Sequence, residues 1–130
     1  MYKEKTSSQW KNLDASYHLH PFTDFQEYQS SKGRIIEKAE HIYIYDTDGK
    51  KYLDAMSGLW CCSLGYTQPA IGEAVANQFN QLPYYNNFFQ CSNAPAAELA
   101  ERLVKISPKQ FTHVFFTNSG SEANDTNIRL

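Results

Sequence analysis

The chain has 130 residues, 42% of them hydrophobic and 20% charged, with a net charge of −2 and a pI near 6.0. A chain of this size can bury roughly two thirds of its unfolded surface, enough for one core, and its mixed charges argue against nucleic acid or an anionic membrane as partner. No apolar stretch is long enough to span a bilayer, and the opening MYKEKTSSQWKNLD lacks the hydrophobic segment of a signal peptide. The three cysteines include the neighbours Cys61 and Cys62, form no C-x-x-C zinc pattern and cannot all pair, which fits a reducing cytoplasm. Aromatic residues make up 15% of the chain and gather in loops, as at a pocket or a subunit interface.

Residues 1 to about 20 are polar, with Trp10 and Tyr17 among them, and read as an arm or a short helix in which Asp14 to His18 form one turn or two. His18 and His20 could be taken for a metal pair, but no Cys, Asp or Glu is read at ligand spacing beside them, so loop histidines are expected. Pro21 breaks any helix and leaves His20 to Phe25 as an irregular aromatic segment. After Gly33, Arg34 to Lys38, His41 to Tyr45 and Lys51 to Ala55 read as three short strands of an antiparallel meander, with Asp46-Thr47-Asp48-Gly49 as a hairpin turn. Asp46 and Asp48 resemble part of a calcium loop, but the glycine comes too early and no glutamate closes the loop.

Met56 to Tyr66 leaves regular structure, with Gly58 and Gly65 bracketing Leu59, Trp60 and the cysteine pair; Trp60 either packs or lines a cleft. Thr67 is placed to cap a helix whose Ile71, Ala74, Val75, Phe79 and Leu82 recur at helical spacing, the pattern of a core-facing stripe. Pro83 ends it, and the aromatic run PYYNNFF that follows fits neither helix nor strand. Asn93 is placed to cap the next helix, with Pro95 in its first turn and an apolar stripe of Leu99, Ala100, Leu103 and Val104. Glu98 to Arg102 and Glu101 to Lys105 are i,i+4 pairs in the favourable orientation, and Pro108 stops the helix.

The last stretch, VFFTNSGSEANDTNIRL, carries the chemistry. Val114 to Phe116 suits a short buried strand, Thr117 to Ser121 are turn formers, and Gly120 is expected to supply a positive φ and close approach to a ligand. From Glu122 the composition is helical, with Glu122 and Asp125 placed to complement the helix dipole. Strand, small-residue turn and helix start together gather free backbone N–H groups and two serine hydroxyls at one point, which suits a phosphate. The same spacing fits a helix capped by Ser119 or Ser121, and on spacing alone that is the favoured reading. A P-loop is excluded because no lysine follows the glycine. The helix reaches Leu130 without a C-cap signal, so the chain reads as cut rather than finished. The order of elements is that of an α/β protein with a mostly parallel sheet.

The string TNSGSEANDT at Thr117 to Thr126 resembles the phosphate-cup motif of class III (ω-type) aminotransferases, which use pyridoxal 5′-phosphate. HPFTDF at His20 to Phe25, YLDAMSGLWC at Tyr52 to Cys61, LPYYNNFF at Leu82 to Phe89 and the helix PAAELAERL extend the likeness, to ω-amino acid–pyruvate aminotransferases, over nearly the whole chain. The resemblance implies the N-terminal part of an aspartate-aminotransferase-like fold (fold type I). Residues 1–32 would be an N-terminal arm and pocket segment, 33–66 the β-meander and SGLW loop, and 67–130 the start of the large cofactor-binding α/β domain. It further implies that Gly120 and Ser121 bind the cofactor phosphate while Ser119 shapes the turn. Phe22, Leu59 and Trp60 would line the substrate pocket, and Phe88 and Phe89 would reach the pocket of a neighbouring subunit, in a homodimer or homotetramer.

The reaction implied is transfer of an amino group between an amine or ω-amino acid and a keto acid such as pyruvate. The lysine that holds the cofactor as an imine and the carboxylate that faces its pyridine nitrogen have no motif match, since the family places both downstream; these residues alone are expected not to transaminate. The alternatives are an aminomutase or decarboxylase using the same cofactor, a truncated non-catalytic chain that pairs with a full-length subunit, and a generic phosphate-binding module.

Overall fold

The structure is a computed structural model that describes residues 5–130. The chain forms two compact units, one ending at Val75 and the other spanning Ala76–Leu130.

In the first unit, the segment read as an arm or a short helix contains the helix α1 (Ser7–Tyr17). It starts with a capping box: Thr6 Oγ1 accepts from Gln9 N–H, and Gln9 Oε1 accepts from Thr6 N–H at 2.9 Å. The segment read as irregular is so up to Asp24, and at Phe25 a second helix, α2 (Phe25–Ser31), begins, because the Asp24 carboxylate accepts from the N–H groups of Gln26 at 2.9 Å and Glu27 at 3.0 Å.

Asp14 joins these parts. His18 Nδ1 lies 3.0 Å from its Oδ1, His20 Nε2 lies 2.8 Å from its Oδ2, and the Tyr28 hydroxyl donates to the same Oδ2. The reading that no carboxylate accompanies the two histidines is therefore corrected: Asp14 precedes His18 by four residues, one helical turn, and shares its face. Burial pushes the Asp14 carboxyl up, but the hydrogen bonds from Tyr28, His18 and His20 outweigh it and hold the group below the usual carboxylate range. The same bond, with burial adding, pushes the Tyr28 phenol up to about 12.

The meander forms as β1 (Ile36–Glu40), β2 (Tyr43–Asp46) and β3 (Lys51–Leu53), antiparallel in the order β1-β2-β3, with a bulge between Ile36 and Lys38. Its hairpin turn has Gly49 at φ +78°, with Gly49 N–H donating to Asp46 O at 2.9 Å. The Asp46 carboxylate, only 4% exposed, accepts from Asp48 N–H, Lys50 N–H and the Tyr52 hydroxyl at 3.0, 2.9 and 2.7 Å. Helix α1 reaches this turn through a Ser7–Thr47 hydroxyl bond of 2.8 Å and the Lys11–Asp48 ion pair. Cations cover the strand aromatics, with Lys51 3.8 Å from the Tyr43 ring centre and Arg34 4.2 Å from that of Tyr52.

Next come the single turn α3 (Ser57–Trp60) and the helix α4 (Pro69–Gln81). Thr67 does not cap α4, since its Oγ1 accepts from His41 N–H at 3.2 Å; Pro69 opens the helix, as its missing N–H allows. In the second unit, Asn93 caps α5 (Ala94–Ile106) by accepting from Ala96 N–H at 3.1 Å, and both i,i+4 pairs form. The last helix is α6 (Gly120–Arg129).

Two expectations fail on packing. Val114–Phe116 is not a strand, because it has no ladder partner among the described residues and a strand exists only through its ladder. The α4 stripe is not core-facing either: Ile71, Val75 and Phe79 are 51%, 63% and 65% exposed. Among the described residues Ala15 is the only buried hydrophobic one, so the single core anticipated from chain length is missing. No helix among the described residues is long and apolar enough to cross a membrane.

Candidate functional site

The N-terminus of α6 decides the chemistry of the turn between Thr117 and Ser121 through the fate of its hydrogen-bond donors. Ser119, extended at φ −153° and ψ 162°, is the cap, and its Oγ accepts from Glu122 N–H at 3.2 Å. Glu122 turns back so that its carboxylate accepts from Asn118 N–H at 2.8 Å, and Thr117 Oγ1 donates to Ser119 O at 3.1 Å. Gly120 and Ser121 then occupy the first two helical positions, where no i−4 carbonyl is available. Neither their N–H groups nor Ser121 Oγ has a partner among the described residues. Three donors on adjacent residues thus lie in the first turn at the positive end of a helix dipole, a position that suits an anion with several acceptor oxygens.

Gly120 contributes differently from the expectation. Its φ is not positive, because it is already helical; what it offers is space, with nothing within 4 Å of where a Cβ would stand. Asp125, expected to complement the dipole, pairs instead with Arg129 at 2.9 Å.

The turn α3 carries Leu59 and Trp60 and is left-handed throughout. Ser57, Gly58, Leu59 and Trp60 have φ of +50°, +59°, +63° and +67°. Three of these are not glycine, and left-handed backbone costs such residues about 1–2 kcal/mol each. Asp54 holds the turn in place. Its carboxylate accepts from Met56 N–H at 3.1 Å, from Gly58 N–H at 2.8 Å and from the Tyr66 hydroxyl. These bonds, led by that of Tyr66, hold the Asp54 carboxyl below the usual range, and the same contact pushes the Tyr66 phenol up to about 12. Sequence reasoning missed Asp54. Its signal was the position of an aspartate two residues before Met56 and four before Gly58, the spacing of a side chain that closes a turn on its own backbone. As a result, Leu59 and Trp60 present exposed apolar side chains from a strained turn, Trp60 at 81% exposure. Phe22 is also exposed and left-handed, with φ +52°.

In the second unit the aromatic loop places the Phe88 and Phe89 rings 6.3 Å apart. Phe88 N–H donates to Asn86 Oδ1 at 2.9 Å, and Phe89 and Gln90 are left-handed, with φ +55° and +64°. Phe88 and Asn118 line one open cavity of about 610 Å³, together with Tyr84, Tyr85, Val114 and Phe116. Phe89 is not part of that lining. Of the residues singled out from sequence, Ser119, Gly120 and Ser121 share one helix end, Phe88 and Phe89 are neighbours, and Leu59 and Trp60 share one turn. Phe22, Leu59 and Trp60 belong to the first unit and Phe88 and Phe89 to the second.

The pattern of the class III aminotransferases matches residues 26–130, and the chain belongs to that family. Among its relatives, a putrescine–pyruvate aminotransferase of Pseudomonas aeruginosa is 47% identical over 122 residues, which are 94% of this chain and 27% of that protein. The solved ω-transaminase of Pseudomonas jessenii, in complex with PMP, is 45% identical with a TM-score of 0.87 over 92% of this chain and 26% of its own. An (S)-enantioselective ω-transaminase from Thermomicrobium roseum is 29% identical with a TM-score of 0.92, over 98% of this chain and 29% of its own. The fold is accordingly the N-terminal part of a fold type I transaminase, and the chain spans about a quarter of the length of the curated relatives it matches.

Proposed function

We propose that the chain forms the phosphate-binding end and part of the substrate pocket of a pyridoxal 5′-phosphate-dependent aminotransferase. The intact enzyme moves an amino group from an amine or ω-amino acid to a keto acid such as pyruvate. The single observation that carries this reading is the helix end at which the N–H groups of Gly120 and Ser121 and the Ser121 hydroxyl lack partners. The fit is chemical: three donors and a helix dipole suit a phosphate ester, and the open space beside Gly120 admits it. Ser119 keeps its hydroxyl on Glu122 N–H and acts by shaping the turn. The helix end contributes about 1–2 kcal/mol and each charge-assisted hydrogen bond about 1.5–3 kcal/mol. When bound, the cofactor supplies the electron sink for chemistry at the substrate amine.

In this reading Phe22, Leu59 and Trp60 line the pocket of their own subunit, and Phe88 and Phe89 reach that of a neighbour in a homodimer or homotetramer. Their exposed side chains supply the apolar walls that keep water from the reacting carbon and select the amine. Residues 67–130 form the start of the cofactor-binding domain. Cys61, Cys62 and Cys91 are all unbridged, which supports a reducing, cytoplasmic setting.

The test uses the protein encoded by the whole reading frame, incubated with pyruvate and a panel of diamines, ω-amino acids and arylalkylamines. Alanine should form, with the donor consumed in equal amount. Release of carbon dioxide, or migration of the amino group within one substrate, would replace this reading by a decarboxylase or an aminomutase. The uncovered Ile71, Val75 and Phe79 favour a second reading, in which the natural product is a short non-catalytic chain that pairs with a larger subunit. An intact mass near 14.9 kDa would select it.

A further inference from the structure

We propose that Asp14, His18 and His20 form a binding site for a zinc-class divalent metal at the C-terminal end of α1. The inference stands apart from the cofactor reading, since none of these residues belongs to the phosphate turn or the pocket described above. Two imidazole nitrogens and a carboxylate oxygen lie within 4.8 Å of one another, and the two rings are 4.2 Å apart between centres. The nitrogens stand 3.0 Å and 2.8 Å from the carboxylate oxygens. A zinc ion about 2.0–2.2 Å from each ligand keeps tetrahedral donors about 3.3–3.5 Å apart, so the contacts open by about half an ångström on binding. His18 can provide that movement, because its side chain is 63% exposed, against 17% for Asp14 and 24% for His20. Two held ligands and one mobile one leave a solvent-facing fourth position.

Charge and surroundings point the same way. The last turn of α1 has no basic residue, and among the described residues no lysine or arginine pairs with Asp14. Asp14 lies in the last turn of α1, at the negative end of the helix dipole, where a metal ion would be favoured. Tyr28 supplies the outer support: its hydroxyl donates to Asp14 Oδ2, and its ring lies 4.5 Å from that of His20. Two nitrogens and one oxygen favour zinc-class ions over calcium or magnesium, which take oxygen ligands. Bound metal would clamp the end of α1 to the His18–His20 segment and, through Tyr28, to α2.

The site is tested on the protein of the whole reading frame, stripped by chelator and titrated with Zn²⁺ by calorimetry and with Co²⁺ by visible absorption. The wild type should bind one more equivalent than a variant carrying His18→Gln and His20→Gln, and Tyr28→Phe should weaken that equivalent about 10- to 100-fold. The Co²⁺ spectrum should show ligand-field bands without thiolate charge transfer, which separates this site from Cys61 and Cys62. Equal stoichiometry and affinity in wild type and double variant would overturn the proposal and leave the cluster a hydrogen-bonded knot. Should the double variant fail to fold, His18→Gln alone, which removes the exposed ligand, carries the same comparison.

Discussion

Replacing Ser119 by aspartate separates the two roles that meet at the start of α6. Ser119 Oγ caps the helix through Glu122 N–H at 3.2 Å, while the adjacent Gly120 and Ser121 N–H groups lack partners among the described residues. Aspartate caps as well as serine, so Ser119→Asp should leave stability within about 0.5 kcal/mol. It also places a negative charge about 5 Å from a phosphate held by those groups. At an effective dielectric of about 20–80, that costs about 1–3 kcal/mol per unit of phosphate charge, or about a fivefold to 150-fold loss of cofactor affinity for each unit of that charge. Ser119→Ala behaves in the opposite way: it removes about 1 kcal/mol of capping and adds no charge, so cofactor affinity falls by about fivefold at most. Urea denaturation of the cofactor-free protein and equilibrium dialysis of pyridoxal 5′-phosphate measure the two quantities separately. Wild-type cofactor affinity in Ser119→Asp, with the helix intact, would refute a phosphate at this helix end.

Gly65→Ala should destabilise the first unit by about 2–3 kcal/mol in urea. Gly65 sits at φ +82°, and a Cβ there would lie 2.8 Å from the His41 carbonyl oxygen, which accepts from Tyr66 N–H at 2.8 Å; a loss below about 0.5 kcal/mol contradicts the geometry. Leu59→Gly should relieve left-handed strain and raise stability by up to about 1 kcal/mol, so a lower denaturation midpoint would mean that Leu59 packing holds the turn. The Tyr66 phenol is raised to about 12, so the stability it contributes is complete below its ordinary value near 10 and is lost as pH climbs from about 10 to about 12. Tyr66→Phe should flatten that alkaline loss in denaturation midpoints, and an unchanged slope would remove the Asp54–Tyr66 bond from the account. Asp54 is lowered, so its contribution is present above the ordinary aspartate range and disappears as pH falls through its depressed value; Asp54→Asn should abolish that acid limb.

What could be read from the sequence was whatever depends on neighbours within about four residues. Asn93 and Ser119 cap their helices, Gly49 turns the hairpin, and the Glu98–Arg102 and Glu101–Lys105 pairs form, all through contacts three or four positions apart. Helix α2 was missed although its signal was local as well, in Asp24 with Glu27, and for the segment read as an arm or a short helix Thr6 with Gln9 decides for the helix. Asp14 was overlooked as a partner of the histidines although the turn read over Asp14 to His18 already places the two four residues apart on one helix face. The left-handed α3 is a different case, because non-glycine residues with positive φ are held there by Asp54 and Tyr66 and leave no compositional trace.

Periodicity states which face of a helix needs covering, but the covering itself belongs to whatever packs there. Ile71, Val75 and Phe79 are correctly patterned yet exposed, and Val114–Phe116 is apolar yet without a ladder partner among the described residues. The helix end at Gly120 and Ser121 is incomplete in a different way. Uncovered apolar stripes and unpaired strand groups are satisfied by more polypeptide, through burial and ladder bonds. Donors beside a capped helix end call for acceptors, and here the cap and Glu122 have already taken the positions that protein groups usually fill. The remaining donors, on Gly120 and Ser121, are the ones the proposed function assigns to a phosphate-bearing ligand.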